Sequence, residues 1–456
     1  MSTIDPKFSA ITDKIRELAK ECLENDVIDQ GLYTKYDVKR GLRDVSGRGV
    51  ITGLTRIAEV HSYTIRDSEY IPCDGKLFYR GYDIEELIND FSSSDRFGFE
   101  ETAYLLILGE LPNKEQLSEF KKLLWDNSTL PTGFVRDVIM KAPSRDIMNS
   151  LARSVLTMYS YDANADDISP ENVMRQVIKL TALMPMLSVY SYQAFKHYHD
   201  DGDLVIRAPL EEYSTSQNIL HLLRPDGKFS DFEAKILDLA LILHADHGGG
   251  NNSAFTMRVV TSTGTDTYAA TSASLAALKG PRHGGANIKV VKMFEDMKQS
   301  VADWEDEDQV RAYLRSLLHK EAFDKAGLIY GMGHAVYSIS DPRAKVLKGF
   351  VKKLSQEKGR EKEFALYDTV ERLAPQLIAD ERKIYKGVSA NVDFYSGFVY
   401  DMLGLPTELY TPIFAVARMA GWGAHRLEEL VNASKVIRPA YKNVAKRKPF
   451  VPMEQR

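Results

Sequence analysis

Apolar residues recur three and four positions apart along most of this chain, the spacing of one buried helix face. From Ile11 to Leu23 the pattern sets Ile15, Leu18, Ala19 and Cys22 on a common side. In "EETAYLLILGELPNKEQLSEFKKLLW" it breaks at Gly109 and Pro112, which predicts two helices, the second capped by Asn113. Further helical stretches are predicted over 148–160, 173–195, 232–245, 268–279, 310–320, 364–379 and 411–431. Alternation of period two is confined to "GVITGLTRIAEVHSYTIRD" and "YIPCDGKLFYRGYD", where the Asp74-Gly75 pair predicts a hairpin turn. With no strand–helix alternation and no fixed repeat, the predicted class is all-α with a small β segment near the N-terminus.

The chain has 456 residues, 44% of them hydrophobic, which suffices for a large core and exceeds one compact unit. Two domains are expected, because no Pro/Ser/Gly-rich or charge-rich linker divides the chain. A formal net charge of −5 argues against general nucleic-acid binding while leaving room for a local basic pocket. Two cysteines, Cys22 and Cys73, form no disulfide framework and suit a reducing compartment. The first residues carry several acids and no apolar h-region, against an export or transit signal. No run reaches the roughly 18 apolar residues of a membrane span. The expectation is a cytoplasmic protein with no membrane partner.

The chemistry concentrates on histidines beside glycines. His283 stands in "LKGPRHGGANIKVVKMF" between Gly280, Pro281, Gly284 and Gly285, a surround that lets backbone approach a ligand closely, just ahead of a helix. His244 and His247 lie in "LHADHGGGNNS", and His334 in "GLIYGMGHAVY". Asp393, in "SANVDFYSGFVY", sits among apolar neighbours whose burial would raise its proton affinity. Three readings of these residues stay open. They can be buried structural histidines at helix ends. His244 and His247, three apart, can share a metal with His283, although "HADH" lacks the i, i+4 spacing of a zinc helix and no cysteine is near. Or they can do acid–base work on a carbonyl compound, with neutral imidazoles donating to a developing oxyanion opposite a carboxylate base. One such donor is worth roughly 10²–10³ in rate.

"LHADHGGGNNS", "LKGPRHGGAN", "YGMGHAVYSISDPRA", "NVDFYSG" and "IFAVARMAGWGAH" resemble, in order, the signature blocks of the citrate synthase family, and "GLTRIAEVHSY…GKLFYRGYDIEEL" is similar to its N-terminal segment. The likeness runs from about Gly41 to Arg438. It implies a helical homodimer whose small domain, about 286–400, closes on a large domain of 1–285 and 401–456. It implies His283 as donor to the acetyl-CoA thioester oxygen, Asp393 as base for the methyl proton, and His334 as the group polarising the ketone of oxaloacetate. His247 would hold oxaloacetate with Arg343, Arg418 and Arg438, the last reaching in from the partner subunit. Forked guanidiniums suit two planar carboxylates better than lysines, and Arg418 in an apolar stretch needs such a partner. No prosthetic group and no metal are implied; acetyl-CoA is co-substrate. Family members often carry a base near Ser338 for CoA phosphates, where this chain has "HAVYSISDPRA"; Lys345, Lys348 or Arg282 could substitute. Gly248 stands where some members have Glu. The rival within the family is 2-methylcitrate synthase, using propionyl-CoA; a rival of another kind is a non-catalytic relative that binds CoA.

Overall fold

The computed structural model describes residues 9–44, 48–67, 69–333, 336–383, 387–432 and 435–455, in two compact units that divide after Leu54. The first unit holds the helices Asp13–Asp26, capped by the Thr12 hydroxyl, and Gln30–Lys35, capped by Asp29. Its predicted apolar face forms as a helix and stays largely exposed, Ile15 by 53% and Leu18 by 47%.

The second unit is helical apart from one three-stranded antiparallel sheet, β1 Ala58–Arg66, β2 Glu69–Tyr79 and β3 Tyr82–Asp83. The hairpin expected at Asp74-Gly75 is not there. The chain reverses at Arg80-Gly81, both with positive φ, as a two-residue hairpin loop demands. Asp74 and Gly75 instead form an irregularity inside β2, where the register slips opposite Ser62. The glycine is needed for a close approach: a Cβ on Gly75 would lie 2.1 Å from Ser340 O, and its N–H donates to Ser340 Oγ at 3.1 Å.

The helices follow the apolar spacing closely. Phe99–Leu108 ends at Gly109, whose φ of 98° is a left-handed cap, and Asn113 opens Lys114–Asp126 with a reciprocal capping box to Gln116. Eight of the helices carry, flank or pack behind the glycine-rich loops: α1 Pro170–His199, α2 Asp231–His244, α3 Asn252–Thr261, α4 Thr267–Lys279, α5 Ala286–Ser300, α6 Pro342–Glu357, α7 Val392–Met402 and α8 Tyr410–Asn432. Periodicity missed α3, α6 and α7, and also α5, which is expected only from its place after His283. α3 has only 10 residues, α6 is too polar for an apolar stripe to stand out, and the apolar run of α7 is interrupted by Asp393, Ser396 and Asp401.

α8 runs through the core, and every residue from Tyr410 to Arg426 is buried. A helix apolar on all sides is a core helix. Two glycines let it come closer than side chains would permit. A Cβ on Gly423 would meet Val177 of α1 at 2.3 Å, and one on Gly421 would meet Ala245 O at 2.4 Å and Asp246 Oδ1 at 2.6 Å. In an open helix, Gly→Ala gains about 1 kcal/mol. At position 421 the sign should reverse, because backbone must retreat from the new methyl, and overpacking costs about 1–3 kcal/mol. Denaturant unfolding of Gly421→Ala should show a net loss of stability; a gain would contradict this packing.

Candidate active site

The loop between α2 and α3 carries "ADHGGGN", and α8 holds it. Arg418 Nε donates to His244 O at 2.7 Å, and His425 Nε2 lies 3.0 Å from Asp246 Oδ1. The Tyr79 hydroxyl lies 3.0 Å from Ile242 O and 3.1 Å from Asp246 O, and it accepts from Asp246 N at 3.2 Å. Burial works against the Asp246 carboxylate, yet His425, Arg418 and the Gly248 N–H outweigh it and hold its pKa below the ordinary range.

Arg418 is wholly buried. Its Nε is used and its guanidinium carbon lies 4.7 Å from the Phe414 ring centroid, while Nη1 and Nη2 have no hydrogen-bond partner among the described residues. A buried guanidinium with its two terminal nitrogens open is costly unless a ligand supplies acceptors. Burial pulls its pKa down to about 10, which leaves it charged at neutral pH. Arg343, at the start of α6, is also buried. Its charge is fastened by Asp341 through Nε at 3.0 Å and Nη2 at 2.8 Å, so burial is overcome and its pKa is raised.

Asp393 opens α7, its N–H donating to the capping Asn391 at 3.0 Å. Its Oδ1 is buried with no partner among the described residues. Burial drives its pKa up to about 7, with Arg343 and Arg418 pulling down and Asp341 pushing up. Those same arginines act on His244, whose pKa burial puts well below the ordinary value. His283 lies in a turn closed by His283 N to Gly280 O at 2.9 Å. Its Nε2 is 3.2 Å from Ser253 Oγ, and burial followed by the Arg418 charge lowers its pKa to about 4, so the ring is neutral at pH 7. His247 is buried with its ring 5.6 Å from that of Tyr337, edge to face, and Tyr337 in turn acts on Arg343.

Arg418 thus acts on Asp393, Arg343 and His283, Arg343 acts on Asp393 as well, and His247 joins them through Tyr337. His334 lies outside the described residues; the bridge of Met332 with Ala390, and Asn391 Nδ2 donating to Gly333 O at 2.9 Å, tie Met332 and Gly333 to the start of α7. Arg438 is exposed, on the segment without regular structure after α8. Among the basic residues near Ser338, Lys348 is paired with Asp368 at 2.5 Å and Glu371 at 2.6 Å. Among the described residues, Lys345 and Arg282 carry no such pair of tight carboxylate contacts.

Sequence reasoning missed Asp341, Ser253, Trp422 and the Asp246–His425 pair. Ser253 accepts from Trp422 Nε1 at 3.2 Å, and its hydroxyl sits between Asn251 Oδ1 at 2.9 Å and His283. Only Asp341 had a signal, as an N-cap before Pro342. For a metal the site is poorly furnished: among the described residues no group of three His, Cys, Asp or Glu could hold one.

Comparison with known proteins finds relatives in both sequence and structure. The family model described as "Citrate synthase, C-terminal domain" matches residues 45–440. "Citrate synthase 2" of Bacillus subtilis is 37% identical over 388 residues, covering 84% of this chain and 94% of that protein. "2-methylcitrate synthase" of Shewanella oneidensis is 31% identical, covering 83% and 92%. Among solved structures, citrate synthase from Pyrobaculum aerophilum superposes with a TM-score of 0.74 at 28% identity, covering 91% of this chain and 95% of that one. The citrate synthase of Thermoplasma acidophilum, solved as a ternary complex with carboxymethyl coenzyme A and oxaloacetate, gives 0.74 at 27%, covering 92% and 99%.

The environment of Asp393 makes a prediction independent of any substrate. Difference infrared spectroscopy of wild type against Asp393→Asn should show a protonated carboxyl band that disappears with a midpoint near pH 7. A midpoint near the ordinary aspartate value of about 3.9 would contradict the burial argument.

Proposed function

We propose how this site works from the premise that the chain belongs to the citrate synthase family, whose members are acyltransferases that condense an acyl-CoA with oxaloacetate and release CoA. The observation that carries the reading is Arg418, a buried cation with two open nitrogens beside a second buried arginine and a carboxylate of raised pKa. Oxaloacetate is a dianion flanking a ketone, and it supplies the acceptors Arg418 lacks.

In this reading Arg343 and Arg418 take the carboxylates with His247, and Arg438 of a second copy completes the pocket in a homodimer. His283, neutral at working pH, donates to the thioester oxygen while Asp393 removes the proton from the adjacent carbon. The Ser253 hydroxyl, which donates to Asn251 Oδ1 in the structure, would turn to Nε2 in this reading, so that the donated ring proton is the one on Nδ1. The enol carbon then attacks the ketone, whose oxygen His334 polarises, and water cleaves the citryl thioester to citrate and CoA. No prosthetic group is required. Arg282 and Lys345 are the remaining candidates for CoA phosphates. We further propose closure of the 286–400 segment on the rest of the second unit, which would delay assembly of donor and base until oxaloacetate is bound and so protect the thioester. A cytoplasmic place in the tricarboxylic acid cycle belongs to the same proposal, and the two free cysteines, which suit a reducing compartment, support it. No helix of the described residues is long and apolar enough to cross a membrane.

Acetyl-CoA is the acyl donor we favour. Relatives of both kinds match, and one methylene in an apolar pocket is worth only about 1–3 kcal/mol. Thiol release by the purified protein should depend strictly on oxaloacetate and run faster with acetyl-CoA; a preference for propionyl-CoA would make the 2-methylcitrate reading the right one, and no release with either would favour a CoA-binding protein. Asp393→Ala should cut turnover at least 10³-fold, in line with the roughly 10²–10⁴ of a general base, while oxaloacetate still binds; near-normal turnover would remove Asp393 as base. Because the base must be ionised, kcat/KM for the acyl-CoA should fall about tenfold per unit below the free-enzyme pKa, which is near 7. A flat profile down to pH 5 would contradict the assignment. Arg438→Ala should raise KM for oxaloacetate about tenfold or more without unfolding the dimer, as expected for a lost charge-assisted pair of about 1.5–3 kcal/mol.

A further inference from the structure

Behind the loop that carries His247 lies a buried chain of polar groups to which the reaction assigns no task. Arg258, on α3, donates through Nη2 to His425 Nδ1 at 2.8 Å, and His425 Nε2 meets Asp246 Oδ1 at 3.0 Å. His425 and Asp246 are wholly buried. Asp246 directly precedes His247, and its Oδ2 accepts from Gly248 N at 2.8 Å, so the carboxylate brackets His247 from both sides.

The donor inventory fixes the direction of this chain. Arginine can only donate, so His425 Nδ1 must accept. The ring proton is then on Nε2 and is given to Asp246. The charge of Arg258 is matched by Glu428 and by Glu429 at 3.0 Å, and its Nη2 shares its two hydrogens among Glu428, His425 Nδ1 and the Thr55 hydroxyl at 3.1 Å. His425 therefore serves as a neutral relay with one acceptor and one donor, holding a carboxylate whose other oxygen sets the loop. The same side of α8 carries Arg418, Gly421 and His425 at helical spacing, and they touch His244 O, Ala245 O and Asp246 in turn.

We propose that His425 and Asp246 are positioning residues for oxaloacetate: with Arg258 they fix the tautomer and register that aim His247 into the substrate pocket opposite Arg418. The inference rests on the proposed binding of oxaloacetate at Arg418 and His247. It concerns one substrate alone, because the hydrogen bonds of these three groups lead to the loop, to α8 and to Thr55, and among the described residues none leads to His283, Asp393 or the candidates for CoA contact.

The test compares His425→Leu, His425→Gln and Asp246→Asn with the wild-type enzyme, reading KM for each substrate, kcat, and oxaloacetate binding by calorimetry. Leucine removes both hydrogen bonds, and KM and Kd for oxaloacetate should rise tenfold or more while KM for the acyl-CoA stays within twofold and kcat within threefold. Glutamine offers one acceptor and one donor in a similar place and should restore KM for oxaloacetate to within about threefold. Asparagine is isosteric with aspartate, so it folds, yet with its carbonyl on Gly248 N it turns an amide N–H towards a histidine that has no free acceptor there. It should weaken oxaloacetate about as leucine does, which keeps the test decisive if His425→Leu fails to fold. Nitrogen NMR of histidine-labelled enzyme should show the Nε2–H tautomer at the resonance lost in His425→Gln. Equal weakening of both substrates, an unchanged oxaloacetate KM in folded His425→Leu or Asp246→Asn, or the Nδ1–H tautomer would overturn the inference. Wild type that binds no oxaloacetate would instead overturn the reading on which it rests.

Discussion

A charge has been taken out of water at Arg418 and left unfinished. Its Nε is spent on a backbone carbonyl, and its two terminal nitrogens face no protein acceptor among the described residues. Removing a guanidinium from water without full pairing costs several kcal/mol. The fold bears that cost through the apolar length of α8, where Ile413, Ala415, Ala417, Met419, Ala420 and Trp422 are all buried. What results is a preorganised cation that has lost its hydration before any anion arrives, and so meets a carboxylate in a medium where the attraction is strong.

Other features of the site depend on the same helix. Gly421 and Gly423 bring α8 against the "ADH" loop and against α1, and without them Arg418 and His425 would stand off their partners. Trp422 reaches Ser253, and Ser253 reaches His283. Asp393 arrives from the other direction, on α7, and the Asn391–Gly333 bond joins the start of that helix to the glycine before His334. Two titratable groups are thereby pushed apart in opposite senses by one cause. Burial leaves His283 neutral and able to donate, and it leaves Asp393 basic enough to accept a proton near pH 7.

Helix existence was legible because the long helices carry strong apolar spacing with caps at their ends, as Gly109 and Asn113 illustrate. The hairpin was misplaced because Asp74-Gly75 has the composition of a turn, whereas its glycine answers the approach of Ser340, a contact 265 residues away that no local pattern encodes. The site was legible in its glycine-flanked histidines and in an arginine set in an apolar run. Its supports were not: Ser253 sits in a polar stretch, and His425 pairs with Asp246 across 179 residues. Local sequence shows which groups have room to touch a ligand, and only the assembled fold shows which groups hold them there.

The central claim, that Arg418 is an unfilled carboxylate receptor, is tested most directly by calorimetric titration of oxaloacetate into wild-type protein and Arg418→Gln, without acyl-CoA. Saturable binding to wild type is expected, with at least a hundredfold weaker binding to the glutamine variant, which is uncharged and lacks the forked geometry. Equal affinity in the two proteins would contradict the claim.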